Sequence, residues 1–164
     1  MSTDPVIDTA TYRHVLGHFL TGVTVITAVD PETGAPTGLA ASSFTSVSLE
    51  PPLVSFCAAK TSSTWPRIRA AGHYCVNILG ESHGELSRRF ASKLADKFDG
   101  IPWRQGASGA PVLEDALAWI DCALHDTLDA GDHVIALGRV LALGAADGDG
   151  PLAYYRGGYG RFVR

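Results

Sequence analysis

A chain of 164 residues, 46% hydrophobic and 18% charged, has the length of one domain and enough apolar content to bury a core, which excludes a disordered segment. Its formal net charge of −4 would neutralise no run of phosphates, so a general nucleic-acid binder is not expected. No apolar run approaches the roughly 20 residues of a membrane span, and Met1-Ser2-Thr3-Asp4-Pro5 is too polar for a secretory signal, so the expectation is a soluble, cytoplasmic protein with no membrane partner.

Tyr12, Val15, Leu16, Phe19 and Leu20 recur at helical spacing and predict a first helix with one apolar stripe, capped from among Asp8, Thr9 and Thr11. His14 and His18 lie four apart on it, half of a metal site, but Val15 stands where a zincin needs Glu, so they read as a solvated face. VTVITAV (Val23 to Val29) is rich in β-branched residues and predicts a strand that ends at the turn signal Asp30 to Gly34. GLAASSFTSVSL predicts a long strand or a bent strand pair; Phe44 and Val47 break one alternating face, which suggests a bulge. Pro51-Pro52 stops it, and PLVSFCAA and HYCVNIL (His73 to Leu79) follow as buried strands.

Two short helices are expected between strands. One follows Thr61-Ser62-Ser63-Thr64 and ends near Ala71-Gly72; the other opens with Ser82-His83-Gly84-Glu85, at capping-box spacing, and runs through Leu86 and Phe90. From Ala116 to Val140, ALAWIDCALHDTL and HVIALGRVLAL predict two long strands joined as an antiparallel hairpin at Asp129-Ala130-Gly131-Asp132. Gly144 to Pro151 reads as a loop. Strands in hairpin order with three helices in the connections predict a mainly β, α+β chain closing as an antiparallel barrel, in preference to a doubly wound sheet. Cys57, Cys75 and Cys122 lie in apolar stretches at spacings that match no zinc pattern, and are expected to be reduced, buried thiols.

No GxGxxG, GxxxxGK[ST] or GxSxG occurs, so the usual nucleotide loops and a hydrolase nucleophile have no support. Hydroxyls are instead concentrated in Ser42 to Ser48 and in Thr61 to Thr64. The second run, just before a helix, suits either a phosphate or a simple N-cap. Gly38-Leu39-Ala40-Ala41 would let backbone approach a flat ring closely, with Arg88, Arg89 and Lys93 as a source of positive charge or as plain helix surface. Asp132-His133 after Gly131 is either a turn or a histidine placed against a ring. Tyr154-Tyr155-Arg156-Gly157-Gly158-Tyr159 is either a cleft wall or an edge strand.

In order, FLTGVTVITA, GLAASSFTSVSLEPPLVSFC, TSSTWPRI, GHYCVNIL, SRRFASKLADKF, the GDH corner and PLAYYRGGY span about Tyr12 to Tyr159. With these landmarks the chain resembles the short-chain flavin reductases, whose fold is the FMN-binding split barrel. They are the small reductase components of two-component flavin-dependent monooxygenases. It is particularly similar to the reductase subunits that serve aromatic-ring hydroxylases in steroid and phenol catabolism, and to related reductases of antibiotic pathways.

The resemblance implies a single flavin reductase-like domain, a homodimer, and hydride transfer from NADH (or NADPH) to FMN (or FAD). Diffusible reduced flavin would pass to a flavin-dependent oxygenase. It further implies that Pro36, Thr37, Gly38, Leu39 and Ala40 line the flavin, and that Ser42 and Ser43 bond its ring or ribityl chain. Cys57, Ala58 and Ala59 would lie along the isoalloxazine, while Ser63, Thr64, Arg89 and Phe90 hold the phosphate end. His133 and Tyr154, Tyr155, Arg156 and Gly157 would meet the nicotinamide nucleotide, with no metal involved. Leu39-Ala40 departs from the Phe-Thr common in the family, which removes a hydroxyl near the flavin. Two other readings stay open on residues alone: a fixed FMN that reduces an organic acceptor, and a non-catalytic flavin- or haem-binding protein.

Overall fold

The computed structural model describes residues 4–148 and 150–164. The opening Met1 to Thr3 and Asp149 therefore lie outside the described residues, and the expected Gly144–Pro151 loop is shorter than its span, since Gly144 and Ala145 end a strand. The described chain is mostly strand, arranged in antiparallel sheets with three short helices.

The VTVITAV run forms β2 (Thr24–Val29), and it is apolar without alternation because both of its faces are covered. Ile26 and Ala28 enter one cluster, with Val54, Phe56, Ala58, Tyr74, Val76, Cys122 and Ala136. Val23 and Val25 enter another, with Leu79, Phe90, Phe98, Leu113 and Leu152. Successive side chains of a strand point to opposite faces, so β2 divides an inner core from an outer one. Phe56 meets Trp65 and Tyr74 edge to face at 5.8 and 5.2 Å in the inner core, each contact contributing about 1 kcal/mol beyond burial.

β3 (Pro36–Ala41) pairs with β2, β4 (Thr45–Leu49) pairs with β5 (Pro52–Ala59), and the large sheet runs β3-β2-β6-β9-β10-β5-β4. Here β6 is His73–Ile78, and β9 (Ala118–Ala130) and β10 (His133–Ala145) form the expected hairpin. Gly131, at φ +68°, occupies a backbone conformation that suits glycine in its two-residue turn. GLAASSFTSVSL is thus a bent pair, with a register shift between Ser46 and Ser48 that leaves Val47 as the extra residue. Its two halves occupy opposite edges of one sheet. Only Ser42 to Phe44 join them, a span of at most roughly 14 Å, so the sheet must curl until its edges are neighbours. Ser43 reinforces the curl: its Oγ accepts a bond from the Cys57 backbone N–H at 2.9 Å.

The helices differ from expectation in detail. α1 (Thr9–Leu16) is capped by Asp8, whose carboxylate accepts from Thr11 N–H, and stops before Phe19 and Leu20. Its apolar stripe covers none of the core: Val15 is 59% exposed and Phe19 75%. α2 (Trp65–Ala71) places Trp65 and Ile68 in the inner core and ends at Gly72. α3 (Gly84–Ala91) has His83 at its N-cap with no side-chain cap bond, so the capping box at Ser82 does not form; His83 Nδ1 instead accepts from Gly80 N–H at 3.0 Å. The five remaining strands carry no clear periodicity in the sequence. A small hairpin, β7 (Trp103–Gln105) with β8 (Pro111–Leu113), covers the back of the sheet. β11 (Leu152–Tyr155) and β12 (Gly158–Arg161) form a second hairpin, which β1 (Thr21–Gly22) extends. Among the described residues no helix is long and apolar enough to cross a membrane.

Candidate functional site

Where the curled sheet fails to close, between β3 and the end of β5, lies a cleft of about 1150 Å³. That is at the upper end of small-molecule sites and has room for two ring systems. As an edge strand, β3 bonds β2 on one side only, so the backbone groups of its other side are unpaired by any strand. Pro36, Thr37, Gly38, Leu39 and Ala40 line the cleft. Cys57, Ala58 and Ala59 face them from β5, and His133, paired in register with Ala59, begins β10 at the mouth. Small side chains on both walls leave a flat, shallow-sided slot.

Gly38 is fixed by packing. A Cβ there would come 2.9 Å from Phe90 Cε1 and 3.0 Å from the Ile26 carbonyl. Phe90 is buried, meets Phe98 edge to face at 5.1 Å, and lines the cleft with Ser63 and Thr64. In the hydroxyl run, the capping task falls to Ser62, whose Oγ accepts from Thr64 and Trp65 N–H at 3.2 and 3.1 Å. Ser63 and Thr64 therefore stand on the cleft wall without a cap role.

His133 Nδ1 lies 2.7 Å from Asp132 Oδ1. An ionised carboxylate only accepts, so Nδ1 is the donor of this bond and Nε2 is left to the cleft mouth. The neighbouring imidazole holds the Asp132 carboxyl below its usual range. Lys60 pairs with Asp129 beside the same corner.

The remaining expected residues stand elsewhere in the single chain. Ser42 and Ser43 do not line the cleft, and the Ser43 hydroxyl is engaged by the Cys57 backbone. Arg89 lies on the other side of α3, where one guanidinium nitrogen donates to the Asp99 carbonyl at 2.7 Å. Arg88 stacks over Tyr159 at 4.9 Å, whereas Lys93 does face the cleft. Tyr154 to Gly157 form the end of β11 and its turn; the Arg156 N–H donates to Gly17 and Tyr155 sits 6.3 Å from the His18 ring, beside α1. His14 and His18 contact edge to face at 5.0 Å, with no third metal-ligating side chain grouped with them among the described residues.

The cysteines divide. Cys75 and Cys122 are buried, and desolvation pushes both thiols up to about 12, as expected for inert core residues. Cys57 is half-buried and on the cleft wall, so it is not a core thiol.

Sequence reasoning missed the cleft's own charges. Arg67, on α2, lies 3.7 Å from the buried carboxylate of Asp30, and Lys97 donates to the Gly38 and Phe90 carbonyls at 3.1 and 2.9 Å. Lys97 sits in the SRRFASKLADKF landmark, but its partner Gly38 is 59 residues away, and no local pattern signals such a contact.

Residues 16–162 match the sequence profile of the flavin reductase like domain. The chain is 48% identical over 157 residues to a flavin reductase of Pseudomonas putida, covering 96% of this chain and 92% of that one. It is 48% identical to the reductase subunit HsaB of a flavin-dependent monooxygenase from Rhodococcus jostii, covering 93% and 77%. Among solved structures, the NADH:FAD oxidoreductase SgcE6 of Streptomyces globisporus, in complex with NAD and FAD fragments, superposes with a TM-score of 0.89 at 35% identity, covering 98% of both chains. An antiparallel sheet with an open-edged cleft, and a profile match over nearly its whole length, make this chain a member of the flavin reductase family.

Proposed function

We propose that this protein is a single-domain NAD(P)H:flavin oxidoreductase, taking hydride from NADH and passing it to FMN or FAD, which then leaves reduced for a partner flavin-dependent monooxygenase. The observation that carries the reading is the cleft itself: an edge strand with unpaired backbone faces small residues of β5, and a histidine stands at its mouth. The donor set fits a flavin, since a planar heterocycle with several acceptors needs backbone N–H groups at close range and no bulky side chain between. A bound flavin supplies the hydride-accepting chemistry.

The protein's own task is to stack, orient and stabilise charge. Pro36 to Ala40 present the unpaired edge to one side of the ring system, and Cys57 to Ala59 bound the other. Ser63, Thr64 and Phe90 close the far end, and His133, oriented by Asp132, meets the nicotinamide from the mouth. No nucleophile or strong general base is required for hydride transfer between two cofactors. Ser42, Ser43 and Arg89 act at one remove, holding the walls.

The finer reading of the fold is a split barrel that works as a homodimer. The α1 stripe supports it: Tyr12, Val15, Leu16, Phe19 and Leu20 are all more than half exposed in the single chain. An amphipathic face of that kind needs a cover, and Tyr154 to Gly157, packed beside α1, would reach the nicotinamide nucleotide from within that assembly. Light scattering at working concentration is expected to give twice the chain mass, and Phe19→Glu to lower it. The buried, protonated thiols of Cys75 and Cys122 suit a reducing compartment such as the cytoplasm.

Aerobic NADH consumption with and without added FMN tests the activity. Turnover should rise with FMN and saturate, and dialysis should remove the flavin. Flavin-independent turnover would point to a fixed cofactor, and no turnover at all to a binding protein.

A further inference from the structure

His133 and Ala59 are the last ladder partners of β10 and β5, so the histidine stands where the sheet runs out. Packing does little to hold it: the His133 side chain is 45% exposed and that of Asp132, its bonded partner, 95%. Lys60 ties the corner down instead. The Lys60 N–H donates to the Asp132 carbonyl at 2.9 Å, and the Lys60 ammonium pairs with the Asp129 carboxylate on β9. One residue at the end of β5 thus grips both sides of the turn between Asp129 and Asp132. Register places this grip behind the histidine. Ala58, Val134 and Asp129 are paired across β5, β10 and β9 and share one face, which Lys60, two residues after Ala58, also takes. Ala59 and His133 take the other. Accordingly Ala59, Thr61 and His133 line the cleft and Lys60 does not. The His133 ring foremost, and the Lys60 ammonium last, hold the Asp132 carboxyl below its usual range.

Resting on the reading of His133 above as the residue that meets the nicotinamide, we infer that Lys60 is a positioning residue for hydride transfer: it locks the β9–β10 corner to the end of β5 and so fixes where the His133 ring stands at the cleft mouth. Its side chain does not line the cleft, so it acts through Asp132 and His133. A half-exposed ion pair contributes little to global stability. An exposed hairpin tip, by contrast, has few other contacts to keep it from opening locally. The flavin wall beside Lys60 has ties of its own: the Ser62 N–H donates to the Ala59 carbonyl at 3.0 Å, and the Ser62 hydroxyl caps α2. Loss of the lock therefore falls on the dinucleotide and not on the flavin.

Steady-state NADH oxidation in the presence of FMN tests this, with equilibrium FMN binding measured beside it on the full chain. Lys60→Met should raise KM for NADH about threefold, the worth of an exposed ion pair, with kcat and FMN affinity near those of the parent. Lys60→Arg should stay near the parent. Lys60→Glu should exceed Lys60→Met, since it repels Asp129 and Asp132, and adding Asp129→Lys should recover most of the loss. In a His133→Ala background Lys60→Met should have no further effect, a non-additivity that a merely structural role would not produce. Should Lys60→Met fail to fold, as seen by circular dichroism, the charge-swapped pair decides: a KM near that of the parent supports the lock, and a KM raised about threefold or more overturns it. An unchanged KM in a folded Lys60→Met, an equal loss of FMN affinity, or an additive loss in the His133→Ala background also overturns the proposal. If the parent oxidises no NADH with FMN present, or if His133→Ala leaves KM unmoved, it is the flavin reductase reading or its use of His133 that falls instead.

Discussion

Behind β6 and β9, the buried side chains of Asn77, Thr27 and Asp121 are each answered within the protein. Asn77 donates to the Val25 carbonyl and Thr27 Oγ1 at 3.1 and 3.0 Å and accepts from Leu113 N–H at 2.8 Å. Thr27 bonds the Pro111 carbonyl, and Asp121 accepts from Ser108 N–H and Oγ at 2.7 and 2.6 Å. On the other side, between β3 and β5, the outer edge of β3 meets a cleft in which no strand pairs with it among the described residues, and only Lys97 reaches it, at the Gly38 carbonyl. Polar groups satisfied from inside hold the β7–β8 hairpin onto the sheet. Those left incomplete mark where a ligand supplies the remaining partners. One sheet thus carries a sealed side and an open side, and the two should respond differently to mutation.

The largest effect is expected on the sealed side. Asn77→Ala leaves the Leu113 N–H and the Val25 carbonyl without their partner, and should lower unfolding free energy by about 3 kcal/mol. Urea denaturation measures it. Flavin affinity of the folded fraction should stay near that of the parent; an equal loss of binding would erase the distinction between the two sides.

Alkaline pH probes the buried thiols on the two faces of the sheet, Cys75 on the sealed side and Cys122 in the inner core. The folded Cys75 and Cys122 thiols keep their protons up to about pH 12, whereas unfolded thiols ionise above about 9. The unfolded state then binds fewer protons, so stability is fully present below pH 9 and falls as pH rises towards 12. The slope should approach 1.4 kcal/mol per pH unit for each thiol. Urea midpoints at pH 8 and 10 should show the decline, and Cys122→Ala should make it shallower. A flat profile would mean that the thiols are not buried as described.

A smaller effect, about tenfold, is expected on the open side. If His133 positions the nicotinamide, His133→Ala should raise KM for NADH by about that factor, near 1.4 kcal/mol, with a lesser fall in kcat. A large kcat loss at constant KM would give the imidazole a chemical task instead. Asp132→Asn, which removes the carboxylate that fixes the ring tautomer, should move KM in the same direction by a smaller amount.

The contrast also explains what was legible in the sequence. β2, β5, β6 and the β9–β10 hairpin were readable because burial on one or both faces writes itself into runs and alternation of apolar residues. β7, β8 and β12 were not: three or four residues each, held by the Asn77 and Asp121 bonds or by pairing alone, carry no period. In the cleft, β3 and the Cys57–Ala59 wall were accessible through small residues and resemblance, since close backbone approach excludes large side chains. Arg89 was assigned to the flavin phosphate through the resemblance, but a helix turns neighbouring residues about 100° apart, and Phe90 lines the cleft while Arg89 does not. Lys97 and Arg67 reach the site through contacts between distant segments. The α1 stripe was correctly seen as apolar, although it covers none of the core of the chain.

A crystal structure of the protein with FMN tests the central claim most directly. The isoalloxazine is expected in the gap between Pro36–Ala40 and Cys57–Ala59, with its open face towards His133. A flavin seated in the hollow between α3 and Ile101, or a gap filled by the protein's own side chains, would contradict it.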